Sequence, residues 1–230
     1  SVFSRYYFFL TNYYIYKNNI TQAQAAIHEG KEKYYHNILV RQTDDFLLKK
    51  DYKKIKFFFN CRDSKDLMAE FFYIIANLHS SEENYILSNF YLKLSLFLNK
   101  NFDSNKSLLA ENFFEQGNIN EAKKIYFSIK KIGDVYSWYA TKKIAYIISE
   151  VENSEKAVNY LRKEISKASN LTDHSYYDLA NFFKSNEDYE GAVKYYTKAL
   201  EKLPKDHHLI PKILDRRGSS YERLGAWKEA

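Results

Sequence analysis

The chain of 230 residues is 45% hydrophobic and 28% charged, enough to bury a sizeable core, which excludes a disordered tail or linker. Aromatic residues make up 18%, while glycine (6) and proline (2) are scarce, and so turn-poor a composition excludes sheet-rich folds and favours helices throughout. The net charge of +6 permits an acidic partner, but a general enrichment in Lys, Asn, Ile, Tyr and Phe of the kind an AT-rich coding sequence produces accounts for it equally well.

Self-similarity at a fixed period organises the rest of the chain. Each unit reads as two helices, the first with a bulky residue, a small one and an aromatic on one face, the second with a small residue followed by a bulky one. Taken in order, Leu10, Thr11 and Tyr14 pair with Ala23 and Ile27; Leu39, Thr43 and Phe46 with Ile55 and Phe59; Ile75, Ala76 and His79 with Ser88 and Leu92. The pattern then sharpens. Leu109, Ala110 and Phe113 precede a "QGN" break, Ala122 and Tyr126; Ile144, Ala145 and Ile148 precede "EVEN", Ala157 and Leu161. Tyr176, Leu179, Ala180 and Phe183 precede "NED", Ala192, Tyr196 and Ala199, and Pro204 ends that unit. Ala122, Ala157 and Ala192 stand 35 residues apart. Leu214, Gly218, Tyr221, "LGAW" and Ala230 open a further copy, 38 residues on from Ala192, with the extra residues placed in "DHHLIP".

Two antiparallel helices approach closely only where one side chain is small and a large ring from the partner fills the gap. Each pair alone leaves an apolar face exposed, so the units are expected to stack into one quasi-linear core. The expected repeats lie near residues 4–35, 36–68, 69–102, 103–137, 138–172, 173–210 and, incomplete, 211–230, as a single domain without a Gly/Pro/Ser-rich linker. The chain begins without Met and stops inside a helical pattern, which reads as a piece of a longer protein.

The order Tyr176, Leu179, Ala180, Phe183, Ala192, Tyr196, Ala199, Pro204 resembles the tetratricopeptide repeat (TPR), and "RRGSSYERLGAWKEA" resembles its first half. The resemblance covers nearly the whole chain, by motif from about Asn105 and by period before it. The run from "FYLKLSLFLNK" to "DRRGSSYERLGAW" is also similar to the repeat region of longer alphaproteobacterial TPR proteins. What this implies is an all-α, right-handed α-α superhelix of about six full repeats plus a truncated one, whose first helices line a concave groove. It also implies a bacterial source, with a cytoplasmic or cell-envelope location.

Motifs that carry chemistry are missing. The chain has no phosphate loop, no nucleophile elbow and no His-Glu-x-x-His or Cys-x-x-Cys spacing, so no enzyme, cofactor or metal site is expected. His79 reads as a core residue and His207–His208 as solvated loop histidines. Cys61 is the sole cysteine; it cannot form an internal disulfide and is expected to pack. No apolar run approaches the roughly 20 residues of a membrane span.

The lysines Lys49, Lys50, Lys53, Lys54 and Lys56 could contact phosphate backbones, but the adjacent Phe57, Phe58 and Phe59 read as core rather than as a stacking platform. Nucleic acid is therefore the second alternative. The groove is the preferred reading. Helical spacing sends into it Glu70, Tyr73 and Asn77; Ser107, Glu111 and Phe114; Tyr139, Lys142 and Tyr146; His174, Tyr177, Asn181 and Lys184; and Lys212, Asp215, Arg216 and Ser219. The C-terminal members, Tyr139, Lys142, Tyr146, Tyr177, Asn181, Lys184, Lys212 and Arg216, are rich in the residue types that form binding hot spots. Lys142, Lys212 and Arg216 resemble the basic residues with which some TPR proteins hold a terminal carboxylate, although Tyr146 and Asp178 stand where that pattern has asparagines. The expected function is a non-catalytic scaffold that binds a peptide or helix of a partner protein, with self-association open. The first alternative is a repeat arm of a larger enzyme or envelope complex.

Overall fold

The computed structural model describes residues 2–34, 36–167 and 173–230, and is all-helical with no strand among them. The helices are α1 (Val2–Tyr16), α2 (Ile20–Lys33), α3 (Ile38–Leu48), α4 (Tyr52–Phe58), α5 (Ser64–Ser81), α6 (Tyr85–Leu98), α7 (Lys106–Glu115), α8 (Ile119–Ile129), α9 (Asp134–Val151), α10 (Ser154–Ile165), α11 (Asp173–Ser185), α12 (Tyr189–Lys202) and α13 (Ile210–Arg223), with a 3-10 turn (Asp103–Asn105) before α7. The chain forms two compact units, residues 1–143 and 144–230, the division falling within α9.

One turn recurs. Between α1 and α2, α3 and α4, α5 and α6, α7 and α8, and α11 and α12 the chain reverses in three residues. The middle residue is left-handed: Asn18, Lys50, Glu83 and Glu187 with φ between 55° and 61°, and Gly117 with φ 74°. Its N–H and the next one reach back to the last turn of the preceding helix, as from Glu83 to Ser80 O (3.1 Å) and from Asn84 to His79 O (2.9 Å), so the orphan carbonyls are satisfied. The third residue is Asn or Asp. The side chains of Asn19, Asp51, Asn84 and Asp188 accept from the backbone N–H three residues on, at Gln22, Lys54, Leu87 and Gly191, as does Asn153 from Lys156. In four of these five turns one residue thus caps the second helix while its neighbour stops the first; Asn118 stands at the same position before α8 without a side-chain cap.

So short a reversal makes the joined helices antiparallel. The small residues sit at the contact: Ala23, Ala76, Ala110, Ala122, Ala145, Ala157, Ala180 and Ala192 are all fully buried. In the α5–α6 pair the Ser88 hydroxyl donates to Ala76 O at 2.7 Å, a contact only small side chains allow. Gly30 serves the same end in α2, where a β-carbon would meet Tyr7 Cβ and Cγ at 2.6 Å.

In the first unit the packing reaches past adjacent pairs. Arg5 of α1 is buried against Glu70 of α5, and Phe8 stacks on Phe102 beside the 3-10 turn at 5.2 Å. Asn12 donates to the carbonyls of Ile55 and Phe59, and Asn99 to that of Phe58, so side chains from α1 and from beyond α6 finish the C-terminus of α4. Gln42 of α3, fully buried, accepts from Val135 N (2.9 Å) and Tyr136 N (3.3 Å) and thereby caps α9. Two expectations fail here. Phe57 is exposed, only Phe58 and Phe59 entering the core, because a seven-residue α4 buries one face. Cys61 is exposed too, since it stands in the turn after α4 rather than on a packed helix.

Candidate partner-binding site

The expected groove residues divide by what they touch. In α5, Glu70 is turned inward, receiving Arg5 Nε at 2.6 Å and Nη2 at 2.5 Å. Tyr73 lies beneath the same guanidinium, 3.9 Å from ring centroid to Cζ. Glu70 is therefore buried, because Arg5 of α1 packs where an open groove was expected, while Tyr73 is partly buried. α5 instead exposes Leu67, Phe71, Ile74 and Leu78 in one stripe, the apolar surface on which self-association would draw.

Tyr139 of α9 is also engaged internally. Its hydroxyl donates to Glu111 at 2.6 Å, its ring meets Tyr126 edge-on, and Lys143 reaches Glu111 at 3.0 Å. Desolvation first and the Glu111 carboxylate second push the Tyr139 phenol far up, so it remains a proton donor. Lys142 is partly buried and Tyr146 is 48% exposed.

Five expected residues, Tyr177, Asn181, Lys184, Arg216 and Ser219, do come together in the second unit. Asn181 Oδ1 accepts from Tyr196 Oη at 2.7 Å and from the Arg216 guanidinium. Arg216 lies 5.8 Å over the Tyr177 ring. Lys184 Nζ donates to the Ser219 hydroxyl and approaches Arg216 O at 3.5 Å. Lys212 is exposed one turn before Arg216 on α13, hence on the same helix face. Helical spacing explains the grouping, since Tyr177, Asn181 and Lys184 share one stripe of α11 and Lys212, Arg216 and Ser219 one stripe of α13. Sequence reasoning missed Tyr196. It reads there as a packing ring, and its phenol turns out to donate to the Asn181 carboxamide oxygen.

This constellation is electropositive. Desolvation and then the Arg216 charge lower the pKa of Lys184, outweighing the opposing influence of Asp215. Cations held this way attract a carboxylate, which relieves their repulsion. The His174 side chain and residues 168–172, including the expected 138–172 repeat end, lie outside the described residues.

The lysine cluster is largely spent on the fold. Lys49 bridges Asp45 (2.8 Å) and Asp134 (2.6 Å), Lys54 pairs with Asp51 and covers Phe46, and Lys56 covers Tyr16. His79 stacks on Tyr91 at 5.7 Å. Among the described residues no group of three His, Cys, Asp or Glu is placed to hold a metal, and no helix is long and apolar enough to cross a membrane.

Fold and site define an all-α protein of packed helix pairs carrying a cationic, aromatic-lined face in its second unit. No family model and no curated protein matches the chain. Among solved structures it is similar to BtubC (BKLC) from P. vanneervenii, at 15% identity over 93% of this chain and 86% of that one, with a TM-score of 0.49.

Proposed function

We propose that the chain is a non-catalytic interaction scaffold of the tetratricopeptide-repeat kind, which binds a carboxylate-bearing segment of a partner protein across α11 and α13. The observation that carries this reading is the placement of two cations side by side, Lys184 Nζ lying 3.5 Å from Arg216 O while the Arg216 guanidinium is held on Asn181 and over the Tyr177 ring. Asn181 and Tyr196 hold Arg216 in place, Tyr177 offers a ring face, and Lys212 adds an exposed charge one turn before Arg216. Bidentate donation from a fixed guanidinium gives orientation, and an aromatic surface gives contact area at small entropic cost. A repeat arm of a larger complex would use the same face. Nucleic acid is disfavoured because Lys49, Lys54 and Lys56 already have internal partners.

The test is quantitative affinity capture from the native organism with the wild-type chain, the Lys184→Ala/Arg216→Ala variant and a Lys163→Ala surface control. At least one partner is expected to fall about tenfold or more with the double variant and to be retained by the control, a loss on the scale of charge-assisted hydrogen bonds. Retention of every partner by the double variant would sink the proposal.

A further inference from the structure

Helix α5 packs on two sides and is bare on a third. Ala76 sits against Ser88 and Leu92 of α6, and Glu70 and Tyr73 meet Arg5 of α1. Away from these contacts Leu67, Phe71, Ile74 and Leu78 are between 39% and 55% exposed, with Met68 beside them at 45%. Their spacing of four, three and four residues puts the first four on one line, about 16 Å long, that no charged side chain interrupts. Elsewhere the second helix of one pair packs on the first helix of the next, α2 on α3, α6 on α7 and α12 on α13. α4 has only seven residues and spends Ile55 and Phe58 on the core, so it does not cover α5 in this way. The stripe is a stacking face without its neighbour, and stacked helix pairs bury such faces.

From this face we infer that α5 is the contact surface of a homodimer, packed antiparallel on the α5 of a second copy about a twofold axis. The spacing of four, three and four reads the same in both directions, so the twofold sets Leu67 of one copy opposite Leu78 of the other and Phe71 opposite Ile74. Each ring then faces an aliphatic side chain, whereas a parallel pair sets Phe71 on Phe71. Knobs at this spacing enter the holes of a facing helix.

The helix ends favour the same order. Arg62, Asp63, Lys65 and Asp66 at the start of α5 carry both signs, and Asp63 and Asp66 already accept from the backbone N–H groups of Lys65 and Asn60. Just past the other end stand Glu82 and Glu83, with His79 in the last turn stacked on Tyr91 and 3.6 Å from Glu82. A parallel pair gathers four carboxylates at one end; the antiparallel pair sets each Glu82 and Glu83 against the mixed cluster of the other copy, and so avoids the greater like-charge repulsion. Half-exposed side chains of this size leave roughly 450 Å² of apolar surface on each copy. Two stripes with their flanking residues therefore bury on the order of 1,200 Å², the lower end for a specific interface, which sets the expected affinity in the micromolar range. The surface lies wholly within the first unit and does not depend on the proposed role of α11 and α13.

Sedimentation velocity of the full chain under reducing conditions, from low to high micromolar concentration, is the test. A monomer–dimer equilibrium is expected. Phe71→Glu should weaken it at least tenfold, and Ile86→Glu, on the exposed side of α6, should leave it unchanged, with circular dichroism checking that both are folded. Orientation is read by mild oxidation in a Cys61→Ser background. Leu67→Cys/Leu78→Cys should give a disulfide-linked dimer and neither single variant should, because the twofold brings position 67 to position 78 and keeps each away from its own copy. A monomer at every concentration, or a dimer that Phe71→Glu leaves as strong as the wild type, overturns the inference and gives the stripe to a different partner or to none. Cross-linking by the single variants overturns the antiparallel order.

Discussion

Glu83 and Glu187 occupy the left-handed position of their turns, where a side chain with a β-carbon is strained, and Gly117 occupies the equivalent position without that strain. Replacing Glu83 by Gly removes the strain and leaves the backbone bonds to Ser80 and His79 intact. Chemical denaturation is expected to show a gain of about 0.5–1 kcal/mol, after part of the benefit is lost to the greater freedom of glycine in the unfolded chain. Lys184 sets a second residue-scale expectation. Its pKa is lowered in the folded state, so below that folded pKa the native structure carries the full cost of holding the ammonium charge. As pH rises from the folded pKa toward the ordinary lysine value, the folded chain sheds its proton first and the cost disappears. Stability of the wild type relative to Lys184→Met is therefore expected to rise between neutral pH and about pH 10. Urea midpoints of both proteins across that range read it, and a flat or falling difference contradicts the assignment.

At the scale of elements, α1 is bound to α5 by a buried ion pair. Arg5 also lies over the rings of Tyr73 and Phe102, at 3.9 and 5.0 Å, and bonds Asn105, which in turn donates to Ser95. Removing one partner leaves a buried charge uncompensated, so Glu70→Leu is expected to destabilise the chain by about 3–5 kcal/mol, whereas Arg5→Met/Glu70→Leu should recover most of that loss. Urea unfolding of the two single variants and the double variant measures the coupling directly. An additive result would show that the pair does not act as a unit. Helix ends behave more locally. Asn84 and Asp188 cap the helices that follow them, and the last turn of the helix before each is closed by the same three-residue reversal, so α5–α6 and α11–α12 are specified within their own sequence.

Across the full chain, features that depend on neighbours a few residues away are written in the amino-acid order. The 35-residue period, the alternation of small and aromatic residues, the capping Asn or Asp and the stop at Pro204 are legible because helix periodicity and turn chemistry act over a few residues. The grouping of Tyr177, Asn181, Lys184 and Arg216 was legible for the same reason, two helical stripes brought side by side. Packing that passes beyond adjacent pairs emerges only once the helices are assembled. Arg5 and Glu70 are 65 residues apart, and Gln42 and Val135 are 93 apart. No period announces such contacts, because a buried Arg or Gln at a helical position reads as a solvated side chain until a distant element arrives to pair with it. That arrival turned Glu70 from an expected groove residue into a buried one and set Tyr73 beneath the Arg5 guanidinium. The physical reason is one of range: hydrogen bonds, caps and side-chain periodicity are satisfied locally, whereas desolvation belongs to a residue only once the whole surrounding shell is in place.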